Sequence, residues 1–164
     1  TNGYFLSAQS GNTGGLTWAE AGGGGKLLQA VTGTSSTATT TTSTSFVDTG
    51  LNVAITPSAT SSKILVMAHT TGVADTNGQF SYFTIERQIS GGSDTNIGDS
   101  SIGLAHMRGD AVNISPTSLH ALDSPSTTSA VTYEFQFRTS GSGNTAQCMY
   151  QGVKGNITVL EIGA

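Results

Sequence analysis

Apolar and polar residues alternate with a period of two along several short stretches of the chain, the pattern of strands with one buried face. The clearest is AVTYEFQFRT, where Val131, Tyr133, Phe135 and Phe137 line one face and Thr132, Glu134, Gln136 and Arg138 the other. Leu51, Val53 and Ile55 alternate with Asn52, Ala54 and Thr56 before Pro57 closes that strand. In QFSYFTIERQI, Phe80, Tyr82, Thr84 and Glu86 face one way, and Phe83, Ile85, Arg87 and Ile89 the other. KILVMAHTT is continuously apolar from Ile64 to Ala68, which predicts a strand covered on both faces, mid-sandwich or at a subunit interface. Further strands are expected at Leu27–Val31, in SLHAL, and in TAQCMYQ and NITVLEI, these last two separated by GVKG. Between Thr95 and Pro116 the spacing of Ile97, Ile102, Leu104 and Met107 is too irregular to assign.

Turn signals punctuate these stretches at Gly50, Asp75–Gly78, Gly91–Asp94, Asp123–Ser129 and Ser140–Asn144. Nowhere do apolar residues recur at helical spacing over two turns. Short strands at close spacing with Gly and Asn turns predict an all-β sandwich or jelly roll. The organisation changes near residue 25. Residues 1–25 hold isolated large apolar side chains among turn residues and end in Gly22–Gly25, a flexible joint. They read as an irregular segment ahead of a domain spanning 26–164. The chain starts at Thr1 rather than Met, which reads as a fragment or processed form of something longer.

Composition supports β structure and excludes several functions. Charged residues make up only 10% of the chain, apolar ones 35%, and the net charge is −4. Disorder by composition needs high net charge along with few apolar residues. The Thr that replaces charge here favours pleated surfaces. The six basic residues are scattered, so no patch exists to displace counterions from nucleic acid. No apolar run approaches the roughly 20 residues a membrane span requires.

Candidate chemistry is sparse. The single cysteine, Cys148, reads as a small core residue. His69, His106 and His120 show no metal-binding spacing, so no metal or cofactor is assigned. Three copies of one histidine could meet on a trimer axis, and His69 is placed best for that. There is no G-x-S-x-G nucleophile motif and no helix to complete a phosphate loop, so an enzyme is not expected. Arg108-Gly109-Asp110 reads as a turn. The residue types that recognise sugars gather in the irregular stretch, at Asp94, Asn96, Asp99, His106, Arg108, Asp110 and Asn113. Loop residues on a rigid scaffold commonly carry such binding.

GYFLSAQSGNTGGLTWAEAGGGG resembles the segment near the distal end of many phage tail fibres. TTTTSTSFVDTGLNVAITPSATSSKILVMA, LDSPSTTSAVTYEFQF and ITVLEI resemble the fibre C-terminal domain that follows it, especially in phages of marine bacteria. Gly91–Thr117 matches least. The resemblance implies a jelly roll of the complement and tumour-necrosis-factor type, assembled as a homotrimer. It also implies a virion location at a fibre tip, a stalk before residue 26, and a host-surface receptor, glycan or protein, as partner. Within it, Ile64, Val66, Tyr133, Phe135 and Phe137 are candidates for the trimer interface. A passive knob that only registers the trimer is the alternative, and a fibre-borne glycan hydrolase a third reading. Strand alternation would then place Ser90–Asp94, Asp123–Ser129 and Gly152–Gly155 distal to the stalk.

Overall fold

The structure is a computed structural model that describes residues 4–8, 11, 14, 16–20, 26–90, 92–110 and 113–163. Two strands, β1 (Tyr4–Ala8) and β2 (Leu16–Glu20), pair antiparallel in a hairpin of their own. Tyr4–Ala8 and Leu16–Glu20, within the segment expected to be irregular, thus hold regular structure. The Gly22–Gly25 joint lies outside the described residues.

The domain is built from β3 (Lys26–Ser35), β4 (Thr39–Thr41), β5 (Val47–Ile55), β6 (Lys63–Ala74), β7 (Phe80–Ile89), β8 (Asp94–Asn96), β9 (Ala105–Arg108), β10 (Asn113–Asp123), β11 (Val131–Thr139), β12 (Ala146–Cys148) and β13 (Gly155–Gly163). These form two sheets in which all the paired strands are antiparallel. In sheet one, β12 and β13 lie end to end along the same side of β6, and β3 and β4 lie end to end beside them. Its order is therefore β3/β4, β12/β13, β6, β10. In sheet two, β8 and β9 lie end to end along β7, giving β5, β11, β7, β8/β9.

Counting each interrupted strand once, the first, eighth, third and sixth strands make one sheet and the second, seventh, fourth and fifth make the other. This is the jelly-roll order. The interruptions explain what alternation left unreadable. TAQCMYQ and NITVLEI are one strand broken by a 3-10 turn at Tyr150–Gly152. The irregular Thr95–Pro116 stretch contains most of the broken edge strand β8/β9.

The core lies between the sheets. Phe83, Ile85, Val131, Tyr133, Phe135 and Phe137 from sheet two meet Ile64, Val66, Ile157 and Val159 from sheet one, all at 0% exposure. Cys148 joins them, and burial pushes its thiol far above the ordinary range, which makes it inert. At one end Asp123 ties the layers together. It accepts from Arg87 Nη1 at 2.8 Å and from the Tyr133 hydroxyl at 2.8 Å.

Two expectations change here. Ile64, Val66, Tyr133, Phe135 and Phe137 do not face a neighbouring copy. The opposite sheet of the same chain consumes their faces completely. The outward face of β6 carries Leu65 and Met67 instead, and Met67 remains 37% exposed, so one chain covers KILVMA on one side only.

The loops are also redistributed. Lys26 pairs with Gly163, so the domain chain starts and finishes at one end. Following the strands from there, Ser90–Asp94 and Asp123–Ser129 fall at that same end. Gly152–Gly155 spans the break between β12 and β13, part-way along the sheet. The far end carries the loops around Ser43–Ser45, Asp75–Gln79, Gly109–Asp110 and Ser140–Thr145. Asp123–Ser129 shifts because the Thr95–Pro116 stretch hides the edge strand β8/β9, and Gly152–Gly155 because TAQCMYQ and NITVLEI are one interrupted strand rather than two.

Candidate functional site

Alternation that buries the aromatic faces of β7 and β11 puts their polar partners on the outside of sheet two. Register lines them up in rows. Arg138 stands opposite Tyr82, and Tyr82 opposite His106. In the next rows Gln136 opposes Thr84, and Glu134 opposes Glu86, which opposes Asn96. Phe80, Tyr82 and His106 form an aromatic strip, with Phe80 and Tyr82 stacked at 6.0 Å and His106 edge-on to Phe80 at 5.5 Å.

Arg138 organises the upper part of this face. Its guanidinium lies 4.3 Å from the Tyr82 ring centroid and 5.3 Å from that of Phe46, within cation–π range. It donates to the carbonyls of Thr44 at 3.2 Å and Thr139 at 2.9 Å, and to the carbonyl of Ser101. One side chain thus ties together the β4–β5 loop, the end of β11 and the β8–β9 loop. Between these walls opens a cleft of about 510 Å³ lined by Thr44, Ser45, Phe46, Glu86, Asn96, Ser100, Ser101 and Arg138. It faces sideways, and its Thr44–Phe46 rim is at the end remote from Lys26.

Glu86 supplies the cleft's carboxylate. Partial burial holds its pKa above the ordinary range, the charges of Asp94 and Glu134 push it further, and a Gln136 hydrogen bond opposes them. Glu134 is raised similarly by burial and then by Asp48. Like charges directly opposite across a strand pair destabilise it. An aromatic ring, a carboxylate, hydroxyls and an amide around one concavity suit a polyhydroxylated ligand, whose C–H faces stack on rings while its hydroxyls find acceptors and donors.

The residues anticipated from sequence divide among several roles. Asn96 lines the cleft, but its Oδ1 accepts from the Thr84 hydroxyl at 2.6 Å and Gly98 N–H at 2.8 Å. Asp99 caps the β8–β9 loop by accepting the N–H groups of Ser101 and Ile102 at 2.8 and 2.9 Å. Those two bonds, from Ile102 and Ser101, hold its carboxyl below the usual range. Both residues therefore shape the cleft wall. His106 joins the aromatic strip, and Asp94 accepts from Gln88.

Arg108, Asp110 and Asn113 sit apart, at the far-end turn, where Asn113 donates to the Arg108 carbonyl. Gly109 between them has a backbone reason for being glycine. Its N–H bonds the Gln79 carbonyl, and a Cβ would lie 2.3 Å from the Thr76 oxygen. Sequence reasoning missed Phe46, Tyr82, Glu86 and Arg138. The available signal was aromatic side chains, Phe80 and Tyr82, at outward positions of an alternating strand.

No protein-family model matches the sequence, and no curated protein matches it. Among solved structures, the chain is similar to that of infectious bursal disease virus Gx strain, with a TM-score of 0.36 at 11% identity over 95% of this chain and 44% of that one. The Gt strain structure gives 0.36 at 13% identity over 96% and 42%, and the VP2 subviral particle of that virus 0.32 at 11% over 95% and 43%. The chain spans less than half the length of the chains it matches. Scores this low support no argument about function, and the jelly-roll assignment rests on strand order. Among the described residues no group of three or more His, Cys, Asp and Glu side chains is gathered for a metal ion.

Proposed function

We propose that this domain is a virion component, the tip of a phage tail fibre, and that it adheres to a host-surface glycan through the cleft at Phe46, Glu86 and Arg138. The observation that carries the reading is the cleft itself. It brings an aromatic face, a partly buried carboxylate and several hydroxyls from three separate segments into one concavity rimmed at the far end. It is braced before any ligand arrives, because Arg138 and Asp99 fix its loops, and a pre-ordered site loses less entropy on binding. The role is adhesion rather than hydrolysis. Among the residues lining the cleft only Glu86 carries a carboxylate, whereas a glycosidase uses two that flank the bond it cleaves.

A homotrimer is part of the proposal, with a stalk joined before Lys26. Its support is the outward face of sheet one, where Leu122, Leu65 and Leu160 form a row across β10, β6 and β13. Leu122 is 56% exposed. Apolar rows of this kind mark contact surfaces when contiguous. A passive knob would share that face without needing the cleft.

The test pairs a glycan array with host adsorption, using Phe46→Ala and Glu86→Gln beside the unaltered protein. Both variants should keep their melting behaviour and assembly mass and lose glycan binding. Intact glycan binding and adsorption in both would discard the cleft and leave the passive knob. A monomeric mass at high concentration would discard the trimer.

A further inference from the structure

The outer face of sheet one holds a second constellation, on the opposite side of the sandwich from the cleft and independent of it. His69 on β6 and His120 on β10 both point outward, and both line a cavity of about 330 Å³ with Met67, Ser118 and Asn156. Register explains why. His69 pairs directly with Ser118 on one side and Asn156 on the other, and His120 pairs with Met67. The two histidines are thus diagonal neighbours on adjacent antiparallel strands, a spacing at which long side chains meet.

His69 is also oriented. Its Nδ1 lies 3.1 Å from the Ser118 hydroxyl, which leaves Nε2 directed away from that bond. A ring nitrogen held by a second group while the other stays free is the usual state of a metal-binding imidazole. The outward positions of β10 and β13 around the pair carry no charged side chain. No neighbouring cation there repels a metal, and no carboxylate biases the site towards calcium or magnesium.

We infer that His69 and His120 form a chelating site for a divalent transition-metal ion, the imidazoles supplying two nitrogens. The carboxamide of Asn156 and the thioether of Met67 flank it, and its remaining positions are open to water. Nitrogen donors with a thioether neighbour favour copper over zinc, and both over hard cations. Sequence spacing alone does not link the two histidines, because 69 and 120 lie far apart and only the β6–β10 pairing brings them together.

Titration calorimetry of the assembled protein with Cu²⁺, Zn²⁺ and Ca²⁺ tests the site. Expected is saturable binding, tighter for Cu²⁺ than Zn²⁺ and absent for Ca²⁺. His69→Ala and His120→Ala should each weaken Cu²⁺ binding at least tenfold. Ser118→Ala should weaken it about tenfold through the freed ring. His106→Ala, on the other sheet, should leave it unchanged. Both ligand positions are exposed in the single chain but lie on the face assigned to trimer contact, so circular dichroism and the assembly mass should both be unaltered. Undiminished Cu²⁺ binding in the His69→Ala/His120→Ala double variant, or binding abolished by His106→Ala, would overturn the inference.

Discussion

Replacing Glu161 by Gln probes how one buried charge fastens a loop to the sandwich. Glu161 on β13 has 0% exposure and accepts from Gln29 Nε2 at 2.5 Å, Ser58 N–H at 2.6 Å and the Ser58 hydroxyl at 3.1 Å. Gln29 also donates to the Thr56 carbonyl, so the cluster pins the β5–β6 loop to two strands of sheet one. Burial alone would raise the carboxyl's pKa, but the nearby Ser62 hydroxyl and the Gln29 and Ser58 donors outweigh burial and leave it below the ordinary range. A glutamine keeps the shape but presents an NH₂ where only acceptors fit.

At least one charge-assisted bond is then lost, at roughly 1.5–3 kcal/mol, and the others weaken to neutral strength. A loss of about 3 kcal/mol corresponds to a fall in melting temperature of roughly 6–12 °C for a domain of this size. The sign with pH follows from the depressed pKa. The stabilisation is present in full above the unfolded carboxyl's value of about 4.3 and disappears as pH falls through the folded one. Calorimetric melts at fixed protein concentration should show the gap between Glu161 and Gln at pH 7 and its narrowing below about pH 4. A gap under about 2 °C at pH 7, or one constant from pH 7 to 3, would refute the reasoning.

Two further substitutions follow from the same geometry. Gly33→Ala should prevent normal folding, measurable as loss of soluble yield, because its Cβ would lie 1.9 Å from the Asn52 carbonyl where β3 crosses β5. Glu134→Gln should stabilise by a few tenths of a kcal/mol at pH 7 by relieving the cross-strand pair with Glu86. Because the folded pKa of Glu134 is raised, its charge costs stability only at higher pH, so denaturant melts should show the gain vanish on acidification.

Much of the sandwich was legible in the chain. Alternation in Val131–Arg138, Leu51–Ile55 and Phe80–Ile89 identified which side chains face inward, because burial of one pleat face imposes a period of two locally. Thr34–Ser35 and Thr39–Thr41 escaped notice because Thr suits a pleat yet reads as polar, so an edge strand of Ser and Thr carries no contrast. The β8/β9 edge strand escaped because its break at residues 97–104 destroys the period. The candidate cleft was half visible. Asn96, Asp99 and His106 were picked out as a group, but Phe46, Tyr82, Glu86 and Arg138 looked like ordinary outward positions.

The sequence by itself determined that this is a β protein, most of its turns, and the inward identity of its aromatic core. Those properties depend on neighbours two residues apart. Gly50, expected to turn the chain, instead sits inside β5 at a positive φ of 74°, where the pairing with β11 is bulged. Only the tertiary structure decided that one face of KILVMA and the aromatic face of AVTYEFQF are spent inside one chain, that Arg138 joins three segments around a cleft, and that His69 and His120 line one cavity. Each depends on strand pairing between residues as distant as Lys26 and Gly163, and a local periodicity carries no information about its partner.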